Sequence, residues 1–303
     1  MITRDLQAYF DFARECAPAD GVATARAAML VSPEAFSLAT QSASDNRYMD
    51  LDVGVDPARA LAQHQALQAA LSRTLPAIAF PGRADTPDAI FPNNVFATAG
   101  GKLLLGHMRH PVRQAETGRE DIRAFFRELL GYGELDLGAQ PGVCELTGAL
   151  VIDHRRRLGY CGLSERCDER GAAAMHAAFG LRATLLFDLA PGEYHTNVVL
   201  SVLAGRALVI APDGFADAAV AEAISAFYAP AVVMLDPAQK QCFAGNCLAL
   251  APDEAWFSAA GERALAPAQR ECLRGAGFSL RAVELDEIEK AGGSLRCCIA
   301  EVF

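Results

Sequence analysis

The chain carries no glycine-rich nucleotide loop: neither GxGxxG nor GxxxxGKS/T occurs in its 303 residues, so the usual phosphate cradles are missing. There is no GxSxG, which leaves serine-hydrolase chemistry without its nucleophile elbow. Basic runs are absent too, and the net charge is −10. Nucleic acid and anionic membrane surfaces are thereby disfavoured as partners, because both need clustered Lys and Arg. No apolar stretch approaches the ~18 residues of a membrane span, and no apolar signal core follows Met1. None of the nine cysteines lies in a CxxC pair. An odd count without an export signal reads as reduced thiols in a soluble, cytoplasmic protein.

What is present is a long-period repeat. Asn93, Glu145, His195, Asn246 and Cys297 follow one another at steps of 52, 50, 51 and 51 residues. Each opens an apolar, strand-like run, from NNVFATAGGKLLLG to the closing CCIAEVF. Self-similarity at a fixed long period marks a repeat architecture. Between anchors the pattern reads hairpin, helix, strand, with hairpin turns expected at Gly100-Gly101, Asp153–Arg157, Ala204-Gly205 and Pro252-Asp253. The last run lacks a hairpin partner and a helix. The N-terminal third supplies them: AAMLVSP (27–33) as a strand, a helix from Asp56 to Thr74 with Pro57 in its first turn, and AIAFPG as the next strand. An amphipathic helix precedes all of this, with Leu6, Phe10 and Ala13 on one face. An apolar fraction of 52% allows a large core, and no linker or low-complexity stretch interrupts residues 1–303. The expectation is a single α/β domain whose modules close a ring.

Modules set around an axis bring equivalent positions together, so a carboxylate, an imidazole and a thiol would meet. Cys297, after the glycine turn GGSLR, is the candidate nucleophile, with His195 as the base that activates it. On that reading it should be the first of the nine thiols to alkylate. His64, His107, His110, His154 and His176 do not share the repeat position. Glu145 begins an apolar run, where burial suits a carboxyl to proton handling. Cys298 points to the opposite face of a strand and belongs to the core. No short paired ligand spacing occurs, so neither a metal nor any other cofactor is expected.

The segments FPNNVF, CELTGALVIDH, GYCGLSERCD, YHTNVVLSV, FAGNCLAL and IEKAGGSLRCCIAEVF, in that order, resemble the guanidino-group-modifying superfamily of arginine deiminases, dimethylarginine dimethylaminohydrolases and amidinotransferases. The resemblance runs from about Met29 to the C-terminus and is closest to the citrulline-utilisation hydrolase branch. It implies a five-module β/α propeller (pentein) with pseudo-fivefold symmetry and a central site. It further implies Cys297 as nucleophile, His195 as general acid/base and Glu145 as the carboxylate on a substrate nitrogen. Arg166 would bind the substrate carboxylate as a bidentate pair, Arg109 or His107 would add a second contact, Asn93 and Asn246 would line the pocket, and Asn46 would lie near it.

Two departures bear on the substrate. Deiminases of the superfamily place aspartates at or near Asn93 and three residues beyond Glu145, where this chain has Asn93 and Gly148. A guanidinium would lose charge-assisted partners there unless another acid such as Asp88 fills in, whereas a neutral ureido group would not. The second departure is Cys298, which stands where Met is usual. The expected function is therefore a cofactor-free, cysteine-dependent C–N hydrolase of a free amino acid, converting citrulline to ornithine, ammonia and carbon dioxide. Arginine or a methylated arginine is the alternative substrate, and a propeller that only binds an amino acid is the alternative of another class. The sequence leaves the oligomeric state open.

Overall fold

The computed structural model describes residues 1–16, 18, 23–34 and 36–303. The hairpin–helix–strand module appears in it five times, each as a small mixed sheet. Phe96–Ala99 and Lys102–Leu105 form an antiparallel hairpin to which Gly133–Asp136 adds in parallel. The same plan recurs in Leu150–Asp153, Leu158–Leu163 and Ala183–Asp188, and in Leu200–Leu203, Ala207–Ile210 and Val232–Met234. Leu248–Ala251, Glu254–Ser258 and Ser279–Val283 make the fourth. In the fifth, C-terminal Ala300–Val302 pairs antiparallel with Ala27–Val31, which in turn pairs parallel with Ala77–Phe80. The C-terminal strand thus shares a sheet with two strands of the N-terminal third, as its missing hairpin partner required.

Turn chemistry sets the hairpins. Gly100 and Gly101 have φ of 56° and 71°, the left-handed pair that matches strand twist in a two-residue loop. A crossover helix bridges the second and third strands of each sheet, as parallel pairing demands. Several of these helices start on acidic caps. Asp56 accepts from the amides of Ala58 and Arg59 ahead of Pro57–Leu71, Asp168 from Gly171, and Asp217 from Ala219. Each cap contributes about 1 kcal/mol. The first strand of every hairpin is almost wholly buried, and these strands pack on one another between sheets: Ala300–Val302 on Phe96–Ala99, and Leu200–Leu203 on both Leu150–Asp153 and Leu248–Ala251.

Helix Leu6–Glu15 buries Tyr9, Phe10 and Ala13 with Leu6 packed half-buried against the same core, as expected, and Tyr9 donates to the Gly159 carbonyl at 3.1 Å. Two details differ from the sequence reading. Residues Ile2–Thr3 just before that helix add a fourth strand beside Ala183–Asp188. The anchors, moreover, do not sit on strands. Asn93 lies in the short helical turn Pro92–Asn94, Glu145 caps Leu146–Ala149, and His195 caps Thr196–Val199. A strand side chain must point to one sheet face or the other, whereas a turn at the strand's entrance frees it to point past the sheet's end. Among the described residues no helix is long and apolar enough to cross a membrane.

Candidate active site

Those entrance turns lead to one narrow cavity. His195 and Cys297 are both on its wall, with Asn94, Asp88, Arg113, Arg166, Tyr194 and the glycines Gly292 and Gly293. The remaining wall is Phe91, Ala291 and the segment Ser42–Met49, through Ser42, Asn46 and Met49.

Glu145 and His195 form a buried pair, Nε2 to Oε2 at 2.8 Å. Glu145 also accepts the Arg109 amide at 3.2 Å and Arg166 Nη1 at 3.4 Å. Burial alone would raise its carboxyl, but the Arg166 guanidinium and the His195 bond outweigh it and hold the group well below the usual carboxylate range. An ionised carboxylate only accepts, so the shared proton sits on Nε2 and Nδ1 keeps its lone pair. Among the described residues Nδ1 has no hydrogen-bond partner. Burial, only partly offset by Glu145, lowers the imidazole's affinity for a second proton. His195 is thus a neutral base whose free nitrogen is held ready. Gly148 explains part of its placement: a Cβ there would come within 2.7–2.9 Å of the ring, so the imidazole occupies the space a larger residue would need.

Cys297 is met by two amides, Asn246 Nδ2 at 3.4 Å and Asn197 Nδ2 at 3.8 Å. Asn246 is itself fixed, donating to the Asn197 carbonyl at 2.9 Å and accepting the Arg296 amide at 3.0 Å. Burial pushes the Cys297 thiol up despite these donors, so thiol and imidazole are both neutral at rest. That revises the expectation of preferential alkylation. Cys297 is 2% exposed, whereas Cys242 is exposed to solvent. One equivalent of iodoacetamide at neutral pH should label Cys242 first in peptide maps. Labelling of Cys297 should climb with pH to beyond the ordinary thiol range, since a raised pKa delays the thiolate. Preferential labelling of Cys297 at pH 7 would contradict the neutral pair.

Other residues take different places from those expected. Asn93 does not line the cavity; its amide faces Thr147 at 3.4 Å, and its neighbour Asn94 takes the wall position, with Oδ1 unpartnered. The two adjacent side chains leave the turn in different directions, a distinction that a one-residue motif shift conceals. Asn246 holds the nucleophile instead of lining the pocket. Glu145 is saturated by protein donors and touches His195, not the cavity. Arg109 is outside as well, with its guanidinium on Glu165 and Asp45, and His107 does not line the cavity either. Arg166 and Asn46 do reach it. Asp88 has no place in the repeat, yet it is 1% exposed on the wall. Its Oδ2 accepts from Ser42 Oγ while Oδ1 has no partner among the described residues. Its sequence signal is only the polar start of DAIFPNN. Among the described residues no group of three or more His, Cys, Asp and Glu is placed to hold a metal ion.

The comparisons with known proteins bear on the family and the fold. The family model described as N,N-dimethylarginine dimethylhydrolase, eukaryotic, matches residues 32–303. An N(G),N(G)-dimethylarginine dimethylaminohydrolase of Mycobacterium tuberculosis (strain ATCC 25618 / H37Rv) is 28% identical over 300 residues, covering 97% of this chain and 91% of that one. Among solved structures, the substrate-bound N-terminal domain of a cyanobacterial arginine dihydrolase superposes with a TM-score of 0.78 at 20% identity, covering 91% of this chain and 97% of that one. A dimethylarginine dimethylaminohydrolase adduct with S-methyl-L-thiocitrulline gives 0.71 at 20% identity, covering 92% and 100%. At such identities the structural likeness is one of mixed α/β fold.

Proposed function

The chain belongs to the N,N-dimethylarginine dimethylhydrolase family of the guanidino-group-modifying superfamily, and from that premise we propose that it hydrolyses the guanidino end of a free amino acid of the arginine type. It is a cysteine-dependent hydrolase of non-peptide C–N bonds. The substrate is the finer matter, and Asp88 carries it. A ureido substrate is attractive only while the pocket lacks acids near the reacting end. Asp88 supplies one from outside the repeat, and its unpaired oxygen shares the wall with the unpaired Asn94 Oδ1. Two acceptors without donors suit a group that is all N–H donors. Burial raises the Asp88 carboxyl despite Arg113, and an incoming guanidinium would favour its ionised form.

Catalysis then needs only the chain's own side chains. Cys297 Sγ attacks the guanidino carbon as His195 Nδ1 takes the thiol proton, and the amides of Asn197 and Asn246 steady the sulfur. His195 returns that proton to the departing nitrogen, the C–N bond breaks, and an amine or ammonia leaves. Water adds to the carbon–sulfur adduct with His195 as base, and the C–S bond breaks to restore the thiol. Glu145 keeps Nε2 protonated throughout. Arg166 and Asn46 face the substrate's amino-acid end. Residues 1–303 act as one catalytic domain, and the five sheets are read as blades closing on a common axis, an arrangement supported by the packing of successive first strands.

Purified protein assayed with arginine, methylated arginine and citrulline tests the reading. Arginine-type guanidines should give higher kcat/KM, and citrulline turned over faster than any guanidine would restore the ureido alternative. Asp88→Asn should cost guanidines roughly 10- to 150-fold in kcat/KM, the value of one charge-assisted hydrogen bond of about 1.5–3 kcal/mol. Citrulline turnover should change less. Equal losses on both substrates would remove Asp88 from guanidinium recognition.

A further inference from the structure

Arg166 and Arg113 both bring a guanidinium to the cavity wall, and the best edge of Arg166 is already taken. Nε donates to Asp45 Oδ1 at 3.1 Å, and Nη2 bonds the same oxygen. His110 Nε2 and Arg109 Nε face Asp45 Oδ2 at 3.1 and 3.4 Å. Three cationic or donor side chains therefore converge on a carboxylate that belongs to the protein. Asp45 sits within the segment whose Ser42, Asn46 and Met49 wall the cavity. Its neighbours pin that segment down: Asn46 Nδ2 reaches the Gly292 carbonyl at 3.3 Å, and the Tyr48 hydroxyl reaches Glu193 at 2.8 Å. Tyr194 covers one face of Arg166 at 5.1 Å, and Nη2 also donates to the Ser42 carbonyl at 2.9 Å. Of the guanidinium's groups, Nη1 is the least committed, with its Glu145 contact at 3.4 Å.

We propose that Asp45 is a specificity-determining residue, an internal stand-in for the substrate's α-carboxylate that must yield Arg166 when an amino acid binds. A carboxylate arriving at Arg166 exchanges one ion pair for another instead of filling an empty site, so little net affinity is gained from it. The native enzyme consequently favours arginine over its decarboxylated analogue, 4-aminobutylguanidine, by only a modest factor. Removing the charge of Asp45 leaves Arg166, Arg109 and His110 facing an uncompensated subsite, which the substrate's carboxylate then fills.

This inference rests on the guanidino reading above, and the test separates the two. The kcat/KM ratio of arginine to 4-aminobutylguanidine is measured for wild type and Asp45→Asn. Binding of both compounds is measured by calorimetry in the Cys297→Ala background, with and without Asp45→Asn. Asp45→Asn should raise the ratio by about tenfold or more, mainly through a lower KM for arginine, and binding should show the same gain. An unchanged or lower ratio, or a KM raised equally for both compounds, would make Asp45 a mere support for Arg166 and overturn the proposal. The binding gain without turnover of either guanidine would uphold Asp45's role and sink the proposed reaction. Failure of both compounds to bind would sink both.

Discussion

Cys297→Ala should abolish hydrolysis of arginine-type guanidines, with kcat down by at least on the order of 10⁴-fold, while thermal stability changes by no more than about 1 kcal/mol. Among the described residues the sulfur is the only thiol on the cavity wall. Cys298 is fully buried in the core cluster behind it, so Cys298→Ala serves as the internal control and should keep turnover. Steady-state assays of both variants beside a melting curve check the assignment. Activity surviving in Cys297→Ala would remove the covalent step. Loss confined to Cys298→Ala would move the nucleophile to the adjacent position.

The module plan was legible because its signals are local: apolar runs, glycine turns, acidic caps and helix periodicity recur with each sheet. Constant spacing then singled out Glu145, His195 and Cys297 as candidates without any knowledge of how the sheets are placed. What lay beyond reach was the part of the site built by distant segments. Asp45 and Arg166 are 121 residues apart in sequence, and nothing in SASDNRYMD announces that Asp45 will meet a guanidinium. Asp88 stayed outside the repeat because it precedes its module's anchor turn. The choice of Asn93 over Asn94 failed for a geometric reason: spacing locates a turn to within a residue, but direction within a turn depends on backbone angles. The same limit misjudged Glu145. Its repeat position said that it would enter the site, not that His195, Arg166 and the Arg109 amide would take up its oxygens.

Those three donors make Glu145→Gln the second substitution of large expected effect. An amide keeps the shape but cannot accept from every neighbour: its NH₂ must face His195 Nε2–H, Arg166 or the Arg109 amide, all of them donors. If it faces His195, the ring is driven to the other tautomer and Nδ1 loses the lone pair that catalysis uses. A wrongly held imidazole costs on the order of 10³- to 10⁴-fold in kcat in a comparable dyad. Stability should suffer as well. Arg166, 2% exposed in its side chain, keeps only Asp45 as a counter-charge, and breaking one side of a buried pair costs on the order of 3 kcal/mol. The pH dependence gives the sign. The folded-state carboxyl lies well below its unfolded value, so the contribution of Glu145 is complete above the ordinary carboxylate range and is lost only as pH falls through that depressed value. The urea midpoint of wild type should therefore exceed that of Glu145→Gln at neutral pH, and the gap should narrow on strong acidification. A variant with wild-type kcat and an unchanged midpoint would show that Glu145 neither sets the His195 tautomer nor balances Arg166.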